Sequence, residues 1–322
     1  MKQIKYLLLF CAAVVLSACE RDVDFDGVAP DPKMIVNSIV CAGDETHYME
    51  VTESVFLFGN KKPEKVVDAA FRAHINGVEA PVEYDSDSKN LYCYFPAKLS
   101  AGDKIELSGE SPLHGKVSGM DVVPHPAEIK ELKTEWFTGE KDGRSYLRTL
   151  VTLADKPGEK NRYRIVIRTY TKVHVDADEW HEAYEYDYTH THDVFIDREI
   201  LFSNLGGGVL SGDEDDAHTF RIFSDELFDG KEYTLDVYAQ IDRIINPGNG
   251  FGDYVPATVV ERNVTVEIQT LSENYFKYLR SLELAMAENN FSEPVKIYTN
   301  IAGGYGILGV YNTASKTAGL EK

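Results

Sequence analysis

Basic residues are scarce in this chain of 322 residues: 33 Lys and Arg stand against 53 Asp and Glu, a formal charge of -20. A surface of that sign repels phosphate backbones, so nucleic acid is not an expected partner. Cysteine is also rare, with four in the whole chain, so no dense disulfide framework holds the fold together. Proline numbers only 12 and glycine 24, which excludes a collagen-like chain. No apolar run reaches the roughly eighteen residues of a membrane-spanning helix, which excludes a helical membrane bundle. What is present is a globular composition, 43% hydrophobic and 27% charged. The length accommodates about two domains, each large enough to bury a core.

The N-terminus carries an address. Lys2 and Lys5 precede an apolar stretch over residues 6–16, closed by Leu16-Ser17-Ala18-Cys19. Such a stretch covers about 16 Å as a helix, about half of a hydrocarbon core, so it reads as a signal peptide over residues 1–18. Small residues directly before Cys19 resemble a bacterial lipobox, whose cysteine is lipidated after cleavage and anchors the chain to a membrane. Residues 19–32 then form an acidic tether with Glu20, Asp22, Asp24 and Asp26. That run resembles the export signal of Bacteroidota surface lipoproteins, against the alternative of a plain solvated linker. The expected location is the outer membrane, lipid-anchored, at the cell surface.

Beyond the tether the chain is mostly β. Residues 33–125 show short alternating runs punctuated by turn residues, the spacing of an Ig-like β-sandwich. Its clearest local element is Phe71 to Ile75 followed by Asn76-Gly77, a type I′ hairpin signal. Pro124-His125-Pro126 interrupts the pattern and marks a boundary. Residues 126–322 read as a larger β-rich domain with one amphipathic helix near 271–287, where Leu271, Tyr275, Tyr278, Leu279, Leu282, Ala285 and Met286 recur at helical spacing. Thr270 and Glu273 have the spacing of a capping box. Cys41 and Cys93 both fall in strand-like segments and are expected to pair as a disulfide, the alternative being two buried free thiols.

Several motifs resemble chemistry without completing it. Gly304-Tyr305-Gly306-Ile307-Leu308-Gly309 matches G-x-G-x-x-G after a strand-like run over residues 295–300. Too little chain follows for a dinucleotide-binding unit, so a glycine-rich turn is expected, with no nicotinamide or flavin cofactor. His181-Glu182 begins like a zinc-protease motif, but position 185 is Glu185. Gly212-Asp213-Glu214-Asp215-Asp216 lacks the ligand spacing of a calcium loop and reads as an exposed acidic loop. No nucleophile elbow, papain-like cysteine context or S-x-x-K set occurs, so no enzyme class is supported.

Two candidate binding features share one segment. Trp180, Tyr184, Tyr186 and Tyr188 fall on one side of a strand-like alternation, an aromatic face able to stack on a ligand or to pack on a core. His190 and His192 share that side, and with His174 from a neighbouring strand they form a candidate zinc or copper site, against a solvated hairpin with incidental histidines.

The C-terminal region reads Leu271-Ser272-Glu273-Asn274-Tyr275, then Phe291-Ser292-Glu293-Pro294-Val295, then Asn300-Ile301-Ala302-Gly303-Gly304-Tyr305-Gly306-Ile307-Leu308-Gly309. Together with the lipobox, the early strand over residues 34–40 and the hairpin strand over 70–75, this resembles the Bacteroidota lipoproteins that carry the domain of unknown function numbered 4249. Leu308 stands where that family frequently has phenylalanine. The resemblance spans nearly all of the mature chain and implies an outer-membrane lipoprotein accompanying a TonB-dependent receptor. It carries over no catalytic residue. The sequence thus points to a non-enzymatic accessory or binding component of a TonB-dependent transport system. The alternative is an independent surface binder of glycan, peptide or metal.

Overall fold

The computed structural model describes residues 30–56, 62–84, 92–177, 182–205, 219–243, 257–286 and 295–321. The chain is mostly β. The first part supplies β1 (Met34–Cys41), β2 (Thr46–Glu53), β3 (Ala70–Ile75), β4 (Val78–Ala80), β5 (Glu83–Tyr84), β6 (Tyr92–Pro96), β7 (Lys104–Ser111) and β8 (Gly115–Val122). There follow β9 (Glu128–Thr138), β10 (Ser145–Ala154), β11 (Arg162–Val175), β12 (Tyr184–His192) and β13 (Val194–Phe195). A short 3-10 helix, Ile200–Leu205, leads towards β14 (Ile222–Ser224), β15 (Glu232–Gln240) and β16 (Ala257–Leu271). The helix α1 (Glu273–Met286) and the long strand β17 (Tyr305–Gly319) complete the order.

One nine-stranded sheet runs the length of the molecule in the order β12-β11-β16-β17-β1-β2-β6-β5, with β14 also on β11. Two four-stranded sheets lie against it, β4-β3-β7-β8 near one end and β13-β15-β10-β9 near the other. Each makes a sandwich with its own core. Val36, Met49, Phe71, Phe95, Ile105 and Val117 belong to the first; Leu147, Val151, Ile167, Leu235, Val237 and Val266 belong to the second. Strict alternation of buried and exposed residues along β7 and β15 is what lets each strand feed one core and show its other face to water.

Strand β17 serves both sandwiches. Its first half pairs in parallel with β1 from Ile35↔Tyr305 to Cys41↔Tyr311, and its second half pairs with β16 from Leu271↔Tyr311 to Asn263↔Gly319. Ile301, Leu308 and Val310 lie in the first core. Three buried aliphatic side chains contribute about 1.5–3 kcal/mol each, a large part of a typical domain's stability of about 5–15 kcal/mol. The far end of the chain therefore adds a strand and three core side chains to the sandwich built by residues 33–125. Pro124 to Pro126 do coincide with the passage from β8 to β9.

Other local expectations meet mixed outcomes. Asn76 and Gly77 have φ of 52° and 80°, and Ile75 pairs with Val78, as a type I′ turn requires. Residues 295–300 form no strand. The helix cap is Ser272, not Thr270: Ser272 Oγ accepts the N–H of Tyr275 at 3.1 Å, while Thr270 is still in β16. Tyr275, Phe276 and Leu279 bury one face of α1 with Leu271 and Ile222. Gly309 permits this approach, since a Cβ there would stand 2.6 Å from the Tyr275 ring.

The expected disulfide is not formed: Cys41 and Cys93 are both free. Cys41 ends β1 opposite Tyr311, and Cys93 lies in β6 opposite Met49, with β2 between the two strands. Two strand spacings of about 4.8 Å exceed the Cα separation a disulfide tolerates. No helix among the described residues is long and apolar enough to cross a membrane.

Candidate binding surface on the edge strand

Strand β12 ends the large sheet and, among the described residues, pairs on one side only, with β11. Its register, Val175↔Tyr184, Val173↔Tyr186, Thr171↔Tyr188, Thr169↔His190 and Ile167↔His192, puts five rings on one face. The β11 partners beneath are buried, with Val173 and Ile167 both fully covered. The tyrosines themselves are 48%, 37% and 39% exposed in chain order. Their rings form a ladder with successive centroids 6.3 Å apart, the Tyr186–Tyr188 pair stacked at 21°. Burial, followed by the neighbouring Tyr188 and Tyr184, pushes the Tyr186 hydroxyl above its usual range. Trp180 lies outside the described residues, as do Cys19, His181 and the acidic cluster over 212–216.

The opposite face of β12 is held by charge. Glu185 pairs with Lys172 at 2.6 Å, and Arg168 contacts both Glu267 and Thr191. The second of these fixes the hairpin register from the outer side, because a one-residue slip would move every ring to the other face.

The ladder continues into two histidines. The His190 and His192 rings meet edge-on at 4.5 Å, and His192 Nε2 lies 2.7 Å from Thr169 Oγ1. Burial first, then the charge of His190, lowers the His192 pKa to about 4. His192 is therefore neutral across the physiological range. His174 does not join them. It stands opposite Glu185, on the other face, with Asp176 at 3.6 Å and Glu185 at 3.8 Å. Five register positions also separate it from His190, about 17 Å along the strand. The candidate three-histidine metal site is thus not assembled, because the register puts His174 on the other face. No group of three or more metal-ligating side chains occurs among the described residues.

Arg262 sits at the inner end of this surface, opposite Thr171 in register and 5% exposed. Its Nη1 and Nη2 donate to the carbonyls of Arg243 at 3.1 Å and Asp242 at 2.6 Å, and its guanidinium lies 5.8 Å from the Trp136 ring. Nε–H is buried without a partner among the described residues. Burial holds the group below its usual range, with Tyr188 acting in the opposite sense.

A second aromatic group escaped the sequence reading. Phe137, Tyr146, Phe195 and Tyr238 meet on the outer face of the β13-β15-β10-β9 sheet, with Phe195 and Tyr238 stacked at 5.1 Å and Phe137 and Tyr146 at 5.3 Å. The Arg198 guanidinium covers Phe137 and Tyr238 at 5.0 Å and 5.1 Å. Four separate segments supply these rings, so only the register Tyr146↔Phe137 and Phe195↔Tyr238 brings them together.

The family model described as Domain of unknown function (DUF4249) matches residues 20–317. The chain belongs to that family. The DUF4249 match takes in every strand from β1 to β16, the helix and nearly all of β17, so the shared strand and the edge surface both lie within the family's domain. No curated protein matches the chain.

Proposed function

We propose that this member of the DUF4249 family is a lipid-anchored, non-enzymatic binding component of the outer membrane, accessory to a TonB-dependent transporter. The observation that carries the reading is β12: nine residues, eight of them exposed, with a tyrosine ladder on one face and no partner strand along its outer edge among the described residues. A long open edge is a template for a partner strand. Exposed tyrosines add contact area at small entropic cost. The lipobox at Cys19 and the acidic tether support placement at the cell surface.

The test is co-purification from detergent-solubilised outer membranes. Wild-type protein recovers a TonB-dependent receptor, and Tyr184→Ser/Tyr186→Ser/Tyr188→Ser recovers much less of it. Absence of a receptor from the wild-type preparation counts against the reading. Intact mass of the native protein checks the anchor, and a chain without acyl mass at Cys19 removes it.

The ring ladder also favours a second reading, an independent surface binder of glycan or peptide, because sugar rings stack on aromatic faces. Ligand binding by soluble chain that never associates with a receptor distinguishes it.

A further inference from the structure

The loop before β11 and the first turns of α1 enclose a cavity of about 300 Å³, beside a second one of about 510 Å³ that shares Lys160, Asn161 and Arg162. In a chain with a formal charge of -20, four cations line the smaller cavity: Lys160, Arg162, Lys277 and Arg280. Leu201, Leu227 and Phe276 supply an apolar wall. Cationic rim and apolar wall together are what a concave site for a small organic molecule presents.

The cations are incompletely used by the fold. Lys277 is committed to Glu273 at 2.7 Å. Arg162 lies 5.6 Å from the Phe276 ring and reaches Glu273 only at 3.9 Å. Lys160 and Arg280 make no ion pair among the described residues. Two carboxylates also line the cavity. Asp225 is buried and turned into the backbone, accepting the N–H of Asn161 at 2.5 Å, whereas Glu226 is exposed. Counting Asp225 as charged still leaves the lining with an excess of two positive charges, against the sign of the whole molecule.

We propose that this cavity binds a small organic anion with an apolar body, its carboxylate held by Lys160, Arg162 and Arg280 and its hydrocarbon portion against Phe276 and Leu227. The acidic surface elsewhere repels such a ligand, so the rim is where it is retained. The cavity is too small for a polymer and shares no lining residue with β12, so this site is separate from the partner surface proposed above.

The test uses the chain from residue 20 to 322, which contains every described residue, with anilinonaphthalene sulfonate as fluorescent probe and octanoate as competitor. Saturable probe binding displaced by octanoate is expected. Lys160→Gln and Arg280→Gln each weaken it by about tenfold, the loss of one charge-assisted contact. Both side chains lie at the rim, so thermal unfolding of the variants stays at the wild-type midpoint. The control Tyr184→Ser/Tyr186→Ser leaves probe affinity unchanged. The proposal is overturned by no saturable binding, by equal affinity in the rim variants, or by loss in the tyrosine control. Inorganic phosphate competing as well as octanoate also overturns it, because the apolar wall then contributes nothing.

Discussion

Ser272 Oγ donates to Asp121 Oδ2 at 2.5 Å across 151 positions of sequence, tying the end of β8 to the start of α1. The same hydroxyl accepts the N–H of Tyr275, and Asn274 Nδ2 adds a second bond to Asp121 at 3.1 Å. Ser272 N–H donates to the Val310 carbonyl at 2.8 Å, so β17 joins the junction. One side chain thus caps the helix and satisfies a buried carboxylate. Ser272→Ala removes both functions and is expected to cost about 1–3 kcal/mol. Urea unfolding measures it, and Ser272→Thr, which keeps the hydroxyl, recovers most of the loss; a change within about 0.5 kcal/mol for Ser272→Ala, ordinary for surface sites, contradicts the role.

Asp121 also makes stability depend on pH. Burial raises its pKa from 3.8 to about 6, although four hydrogen-bond donors act in the opposite sense. A carboxyl with a higher pKa folded than unfolded binds more protons in the folded state between those values. Its contribution is therefore full below pH 3.8 and lost as pH rises through about 6. The loss is on the order of 3 kcal/mol. Glu283, raised to about 7 chiefly by burial, acts with the same sign, and His192, lowered to about 4, with the opposite one. Thermal midpoints from pH 4 to 7 for wild type and Asp121→Asn isolate the Asp121 component. The wild-type-minus-variant difference should decline with rising pH; a flat difference shows that the donors balance burial, and a rising one that they outweigh it.

How far these features could be read from sequence depends on whether their determinants are local. Strand β1 and the Asn76-Gly77 turn are legible because apolar alternation and positive φ are properties of adjacent residues. Helix α1 begins two residues later than its apolar spacing indicates, since Leu271 belongs to β16 while packing with the helix. Strand β9 went unread because a bulge opposite Thr152 and Leu153 breaks its period, leaving Ile129 and Leu132 three apart on the core side. The shared face of Tyr184, Tyr186 and Tyr188 follows from alternation. The position of His174 does not, because the hairpin register sets it. The parallel pairing of β1 with β17 and the cation-rimmed cavity have no local signal, as their parts come from distant segments.

Gly306 and Gly115 form a matched pair for testing the β1–β17 ladder. Both have positive φ, 97° and 78°. A Cβ at Gly306 would stand 2.1 Å from the Val36 carbonyl oxygen, whereas at Gly115 nothing lies within 4 Å. Gly115→Ala carries only the conformational cost of about 1–2 kcal/mol. Gly306→Ala adds a backbone clash inside the ladder and is expected to cost more than about 3 kcal/mol, beyond the usual range for a single substitution. Denaturant midpoints of the two variants test this, and equal losses show that strand contact at Gly306 is not limiting.

The two free thiols should differ in reactivity. Cys93 is 4% exposed in the first core, and burial pushes its thiol up to about 11 from a usual 9. Two pKa units reduce the reactive thiolate about a hundredfold near neutral pH. Cys41, half-buried at the end of β1, has no comparable cover. Alkylation of native protein followed by peptide mass mapping should modify Cys41 first and Cys93 only on unfolding. Non-reducing mapping should recover both peptides uncrosslinked. A Cys41–Cys93 crosslink in native protein requires β2 to leave its place between β1 and β6, and would show that the oxidised chain arranges this edge of the sheet differently.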